Sequence, residues 1–262
     1  MRSPPEGAGG RGWERAIPWF PWGGSALYGR EVHPSQRAMA FYQGTAGEAY
    51  HSGKRGLPDA ARPWVCRARA DLFRGQVQAT DAVLEWGCGA GWNLAALPAG
   101  RRVGMDVEPA LQGQVEASGA MFVGTTRTLD DAAFDVVIAH HSLEHAPDPL
   151  PALMELGRLL RPGGRLLLAV PYEVNRSHRR YAPEDPNHHL YSWNPQSLGN
   201  LVALSGLEIG SVKLRRYGYD RLAAVWAVRL RLGEPGFRCL RQLARWVRPI
   251  REIALVAARP RP

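Results

Sequence analysis

At 262 residues, with 45% apolar and 22% charged side chains, the chain is long enough for one domain with a sizeable core, which excludes disorder of the whole. Cys66, Cys88 and Cys239 lie far apart and form no CxxC pair, which argues against a disulfide framework or a cysteine zinc site and for a reducing, cytoplasmic setting. The net charge of +9 is local: residues 213–262 hold 13 Lys/Arg against 3 Asp/Glu, an excess that fits either an anionic partner or a solvated basic face.

Residues 1–36 are rich in Gly, Pro, Arg and Trp and have little periodicity. They read as a poorly ordered arm whose Trp13, Trp19, Phe20 and Trp22 could dock on a partner or on the domain. The arm has no apolar signal-peptide region, and no apolar run anywhere approaches the roughly 20 residues of a membrane span. From Ala82 onward, strand and helix signals alternate, as in a parallel α/β sheet. Val83 to Trp86 is a first strand, ending at a glycine cluster that should open a helix, and Arg102 to Asp106 is a second. Met121 to Val123 is a short third strand and Phe134 to Ala139 a strong fourth. Asp148-Pro149 starts a helix with Leu150, Leu153, Met154 and Leu160 on one face and Gly163 or Gly164 as its stop. Arg165 to Val170 reads as a doubly buried strand. Asn194-Pro195 opens a helix with Leu198, Leu201 and Val202 inward, and strands near Leu207 to Leu214 and Glu252 to Ala257 complete the far edge.

The chemical signal is Glu85-Trp86-Gly87-Cys88-Gly89-Ala90-Gly91, at the carboxyl end of the first strand, where open α/β sheets bind ligands. Glycines let a backbone turn tightly and approach a ligand closely. Asp106 ends the next strand, where a carboxylate can accept hydrogen bonds from ribose hydroxyls. The spacing is GxGxG rather than the dinucleotide GxGxxG, and Glu85 suits a cationic cofactor better than a pyrophosphate. No Tyr-xxx-Lys pair supports a nicotinamide oxidoreductase.

The chain resembles the class I S-adenosylmethionine (SAM)-dependent methyltransferases, especially the small-molecule enzymes related to the ubiquinone and menaquinone group. Val83 to Gly91 matches their first motif and Gly104-Met105-Asp106-Val107-Glu108-Pro109 the ribose-binding strand end. Phe134-Asp135-Val136-Val137 with Ser142-Leu143-Glu144-His145-Ala146-Pro147-Asp148-Pro149 resembles the fourth-strand motif, and Leu160-Arg161-Pro162-Gly163-Gly164-Arg165-Leu166 the turn into strand five. The segments His189-Leu190-Tyr191-Ser192-Trp193 and Ser205-Gly206-Leu207, and the closing strand from Glu252, are similar too. The resemblance covers roughly residue 41 to the end. It implies a Rossmann-like three-layer sandwich over residues 37–262, with a mainly parallel seven-stranded sheet and an antiparallel last strand. It implies SAM as cofactor, held by Glu85, Gly87, Cys88, Gly89, Gly91, Asp106, Val107 and His140. One departure is Thr125, where the family carries an acid that touches the adenine; Asp130 or Asp131 could substitute.

The expected activity is methyl transfer to an O, N or C atom of a small-molecule acceptor, which could be lipid- or glycan-linked. In-line positioning supplies much of the rate, and an acceptor O–H or N–H needs a base, for which histidine suits neutral pH. His141, His145 and His189 are the candidates, over the ends of strands four and five, with Trp193 and the N-terminal aromatics as an apolar wall. HxxEH at residues 141–145 imitates a zinc-protease motif, but it follows a buried strand and precedes Pro147, so no metal is assigned. Residues 217–248 read as an insertion containing a basic amphipathic helix, with Phe237, Leu240, Ala244 and Val247 on one face and Arg238, Arg241, Arg245 and Arg248 on another. That helix could pack on the domain, dock peripherally at an anionic inner-membrane face, or grip an acidic acceptor. An RNA-directed enzyme or RNA-binding module and a catalytically silent SAM-fold partner are the alternatives. Nucleic acid is disfavoured, since neither a recognised RNA-binding domain nor an Asn-Pro-Pro-Tyr signature is present.

Overall fold

The computed structural model describes residues 38–54, 56–173, 180–181, 185 and 187–262; the arm, residues 1–36, lies outside the described residues. The apolar segments form strands β1 (Ala82–Trp86), β2 (Arg101–Met105), β3 (Met121–Val123), β4 (Phe134–His140), β5 (Leu160–Pro171), β6 (Glu208–Tyr217) and β7 (Ile250–Ala258). They join in one sheet of order β3-β2-β1-β4-β5-β7-β6. The first five strands run parallel, and β7 enters antiparallel between β5 and β6. The order reverses between β1 and β4, which opens a crevice at their carboxyl ends.

Both faces of the sheet are covered by helices, which explains the uninterrupted apolar runs of its central strands. Side chains alternate strictly between the faces. Val83, Val136, Ile138, Leu167 and Val256 pack in one cluster with Phe73, Leu94 and Val115. Leu84, Val137, Leu166, Leu168 and Leu255 pack in the other with Leu153, Leu156, Leu159, Leu198 and Val202. The helices are α1 (Gly44–Lys54), α2 (Arg62–Ala70), α3 (Gln112–Ala117), α4 (Pro149–Leu159), α5 (Pro195–Leu204), α6 (Asp220–Arg229) and α7 (Gly233–Val247). Asn194 starts α5 with a reciprocal capping box, its side chain accepting from the Ser197 N–H at 2.9 Å. No described helix is long and apolar enough to cross a membrane.

Three expectations are corrected. The helix after the glycine cluster shrinks to a single 3-10 turn, Leu94–Ala96, because Pro98 forces Leu97 into extended backbone and β2 follows at once. Helix α4 ends at Leu159, before the glycines, and Leu160 already pairs with Phe134 in the sheet. Its buried stripe is Leu153, Leu156 and Leu159, while Met154 is exposed.

Residues 217–248, expected as an insertion, hold the hairpin α6–α7, and its faces differ from the expected ones. Phe237, Arg241 and Arg245 are buried, whereas Val247 is 78% exposed and Arg238 and Arg248 lie outside. Phe237 packs against Trp64 and the alanines of α2 and α6, a cluster in which Ala61, Val65, Ala68, Ala223, Ala224 and Ala227 let the backbones approach closely. Phe237→Ala should therefore destabilise the fold by about 3–5 kcal/mol in denaturant titration. Val247→Ala should shift it by no more than about 0.5 kcal/mol.

Candidate active site

A cavity of about 840 Å³ lies over the carboxyl ends of β1, β2, β4 and β5. At its donor end, Gly87 and Gly89 adopt left-handed backbone, with φ of 72° and 53°. The turn is pinned from below: the Gly87 and Cys88 N–H groups donate to the Met105 carbonyl at 2.8 and 2.9 Å, and the Gly89 N–H donates to Asp106 Oδ2 at 2.8 Å. The other Asp106 oxygen accepts from the Glu108 N–H at 3.1 Å. The two glycines have different duties. A Cβ on Gly87 would lie 2.5 Å from Ser142 Cβ, whereas one on Gly89 would meet nothing within 4 Å and would project into free space.

Glu85 lies at the floor of this end, 1% exposed. One of its oxygens accepts from Asn93 Nδ2, and the other is buried without a hydrogen-bond partner. Burial pushes its carboxyl up to about 8, against the hydrogen bond from Asn93 and the charge of Arg69. A buried carboxylate with an orphaned oxygen suits a ligand ammonium group, and the Gly89 space suits a bulky cofactor. The residues present therefore fit SAM: Glu85 toward its ammonium and Asp106 toward its ribose.

Of the other residues expected here, Cys88, Val107 and His140 line the cavity. The Cys88 thiol itself is packed in the core, and burial raises it well above the thiol range, so it contributes shape rather than reactivity. Gly91 is not a lining residue; a Cβ there would meet Ser118 and Val115, so its role is close packing against α3. Thr125 accepts from the Arg127 N–H in its own turn, and Asp131 pairs with Arg158, so neither reaches the cavity.

The acceptor end is organised by a residue that the motifs do not reveal. Glu252, in the middle of the antiparallel part of the sheet, is 0% exposed. His141 Nε2 donates to Glu252 Oε2 at 2.7 Å, His140 Nε2 stands 3.5 Å from the same oxygen, and Arg215 Nε donates to the other. Burial alone would raise this carboxyl, but hydrogen bonding to the His140 and His141 rings outweighs it and holds Glu252 below the usual carboxylate range. His140 is kept neutral, lowered to about 4 chiefly by burial, and its Nδ1 accepts from Asn93 at 3.2 Å. His141 has φ of 54°, a conformation costly for a side chain with a Cβ. With its Nε2 proton given to Glu252, Nδ1 is the ring nitrogen left to accept one.

The other two histidine candidates also line the cavity. His189 Nδ1 lies 2.6 Å from Glu173; burial opposes its charge, but the carboxylate prevails and raises its pKa. His145 is tied to the segment around α1, with Tyr42 Oη 2.8 Å from Nδ1 and Tyr50 Oη 3.5 Å from Nε2. The HxxEH segment is a 3-10 turn, Leu143–His145, rather than a helix. Trp193 stacks on Tyr191 outside the cavity, whose described aromatic lining includes Tyr42, Tyr50, Trp86, Trp92, Tyr217 and Tyr219; the N-terminal aromatics lie outside the described residues. Among the described residues, two groups offer three metal-ligand atoms within 4.8 Å of one another, His140-His141-Glu252 and Glu144-His145-His189. The first holds the Arg215 guanidinium, and in the second His145 faces Tyr42 and Tyr50 while His189 pairs with Glu173.

Gly89→Val and Asp106→Ala should each weaken SAM binding by calorimetry, the second by about 1.5–3 kcal/mol. The Glu85 carboxyl keeps its proton to about pH 8 in the fold but releases it near 4.5 when unfolded. The donor-free protein should thus lose stability as pH rises through that window. SAM affinity should climb between about pH 6 and about pH 8 as the carboxylate forms, and Glu85→Gln should flatten both profiles.

Comparison with known proteins agrees with this geometry. A methyltransferase-domain family matches residues 59–212. A probable SAM-dependent methyltransferase of Mycolicibacterium smegmatis is 33% identical over 137 residues, 48% of this chain and 52% of that protein. A dimethylglycine N-methyltransferase of Parasynechococcus marenigrum is 26% identical over 162 residues, 53% of this chain and 56% of that protein. The chain spans about half the length of the curated relatives it matches. Among solved structures, the Burkholderia thailandensis 1,6-didemethyltoxoflavin-N1-methyltransferase, bound to its substrate and S-adenosylhomocysteine, superposes with a TM-score of 0.57 at 18% identity, covering 89% of this chain and 93% of that one. With the family matched across more than half its length, a mixed sheet with β7 reversed and a glycine turn backed by Glu85 and Asp106, the chain belongs to the class I SAM-dependent methyltransferases.

Proposed function

We propose that this protein transfers a methyl group from SAM to an oxygen or nitrogen of a small-molecule acceptor. The observation that carries the reading is His141, in the wall of the same cavity that holds the glycine turn and paired with the buried Glu252 behind it. SAM, when bound, supplies an electrophilic methyl group on a sulfonium. A histidine oriented by a carboxylate favours an acceptor that must give up a proton as it is methylated.

Each residue then has a limited task. Glu85, Asp106 and the glycine turn hold the donor end. His141 takes the acceptor proton on Nδ1, while Glu252 fixes the tautomer and stabilises the imidazolium that forms, itself balanced by Arg215. His189, backed by Glu173, is the alternative proton acceptor on the opposite wall. His145, engaged by Tyr42 and Tyr50, shapes the chamber and holds the segment around α1. These tyrosines and the wall from β6 and α6 would exclude water from the reacting atoms.

The test is incubation of the full chain with methyl-labelled SAM and a metabolite extract, followed by product mass analysis. A labelled product should form, and His141→Ala should lower turnover by about 10²–10⁴-fold with SAM binding intact. SAM binding without any product would return the reading to a silent partner subunit. Full turnover in His141→Ala would move the proton acceptor to His189.

A further inference from the structure

The cavity is lined by two largely buried arginines that the methyl-transfer reading alone does not use. Arg241 and Arg245, on the inner side of α7, are only 8% and 9% exposed, yet both line the cavity. Arg241 Nε donates to Asp220 Oδ1 at 2.6 Å. The second oxygen of Asp220 lies 3.3 Å from Arg69 Nε, so this carboxylate is shared between two cations. Arg245 has no such partner. Its Nε donates at 3.3 Å to the carbonyl of Gly218, and it forms no ion pair among the described residues. Glu252, buried behind the wall, is held by Arg215 and His141.

The Arg245 side chain is thus largely buried, yet its terminal nitrogens hydrogen-bond to no described residue and keep access to the cavity, and its charge is met only at a distance by Asp220 and Glu252. Burial and the neighbouring Arg241 charge lower Arg245 to about 10. The surrounding backbone is shaped for the site. Gly218 and Tyr219 are both left-handed, with φ of 85° and 66°, and this turn places the Gly218 carbonyl against Arg245 and Tyr219 in the wall. Further cations, Arg221 and Arg251, line the same end. Glu85, Asp106, Glu144, Asp148, Glu173 and Asp220 line the cavity as well.

We infer that the α6–α7 wall binds an anionic group of the acceptor, a carboxylate or phosphate, with Arg245 as its counter-ion. This inference rests on the methyl-transfer reading. Arginine matches either anion with a planar fork of donors. Tyr217 and His141 line the same cavity, with their ring centroids 4.7 Å apart. In this inference an acceptor anchored by its anion on Arg245 presents a neighbouring O–H or N–H toward His141. Arg245 is thus a specificity-determining residue.

The test is calorimetric titration of the full chain, with and without saturating S-adenosylhomocysteine, at constant ionic strength. The probes are benzoate, phenyl phosphate and neutral benzamide, so the two anion arms separate carboxylate from phosphate. At least one anion should bind about tenfold or more tighter than benzamide. Arg245→Met should abolish that preference without changing benzamide or S-adenosylhomocysteine binding, and Arg245→Lys should restore part of it. Wild-type protein gives a reading that does not depend on how the variants fold. Phenylglyoxal should modify Arg245, and the preferred anion should slow that modification by about tenfold in peptide mapping. Equal binding of anions and benzamide, an unchanged preference in Arg245→Met, or unprotected Arg245 would each overturn the inference. Failure of S-adenosylhomocysteine to bind would instead break the methyl-transfer reading, while anion binding to the unliganded cavity would still decide this one.

Discussion

Glu252 ties the sheet to the chemistry. It lies on β7 opposite Pro171 of β5 and Arg215 of β6, so the antiparallel register itself sets the carboxylate beside the guanidinium that neutralises it. The same carboxylate reaches across to His140 and His141 at the end of β4. A fully buried charge survives only if it is paired and hydrogen-bonded, and here three side chains from two strands and a loop meet that demand. Slipping β7 by one residue would turn Glu252 to the other face and leave Arg215 and both histidines without it. The reversed strand of this fold thus bears on the tautomer of a loop histidine as well as on the edge of the sheet.

His141 shows how the local strain is held. Its left-handed backbone is retained because the N–H donates to the Ala169 carbonyl at 2.9 Å and the ring donates to Glu252. Both bonds anchor it to rigid strands rather than to mobile loops. Proton transfer needs a ring fixed in position and a neighbour that tolerates the charge it gains. The Arg215–Glu252 ion pair provides that tolerance without leaving a net negative charge buried near the histidine.

The walls of the cavity come from elements outside the central sheet. On one side, Tyr42 and Tyr50 close against His145, and Gln43 Nε2 donates to the Val107 carbonyl at 3.2 Å, joining this segment to the donor end. On the other, the α6–α7 hairpin seats Phe237 among the alanines of α2 and α6. Ion pairs from Glu234 to Arg67 and Arg238 and from Asp71 to Arg238 lie outside that contact. These pairs are partly exposed and contribute little individually. Burial of the phenyl ring is the larger stabilising contribution, and it decides which arginines of α7 face inward.

Sequence alone determined the strand–helix alternation and the order of the motifs, and it singled out the glycine turn and Asp106 that line the cavity. Those features are local: a doubly buried strand must be apolar throughout, and a backbone turn beneath a ligand must use glycine. It also marked His141, His145 and His189, because they stand within or beside family motifs. The helix expected after the glycine turn was a local reading that failed, because Pro98 left room for only one 3-10 turn. Tertiary structure alone decided the rest. Glu252 stood in plain view as a lone acid in an apolar strand, but its partners lie 37 and 111 positions away and meet it only through sheet register. Helical periodicity placed Arg241 and Arg245 on a basic face but could not say whether that face met solvent or a cavity. That choice was made by Phe237, since a helix turns its largest buried ring toward the core and carries its neighbours inward with it.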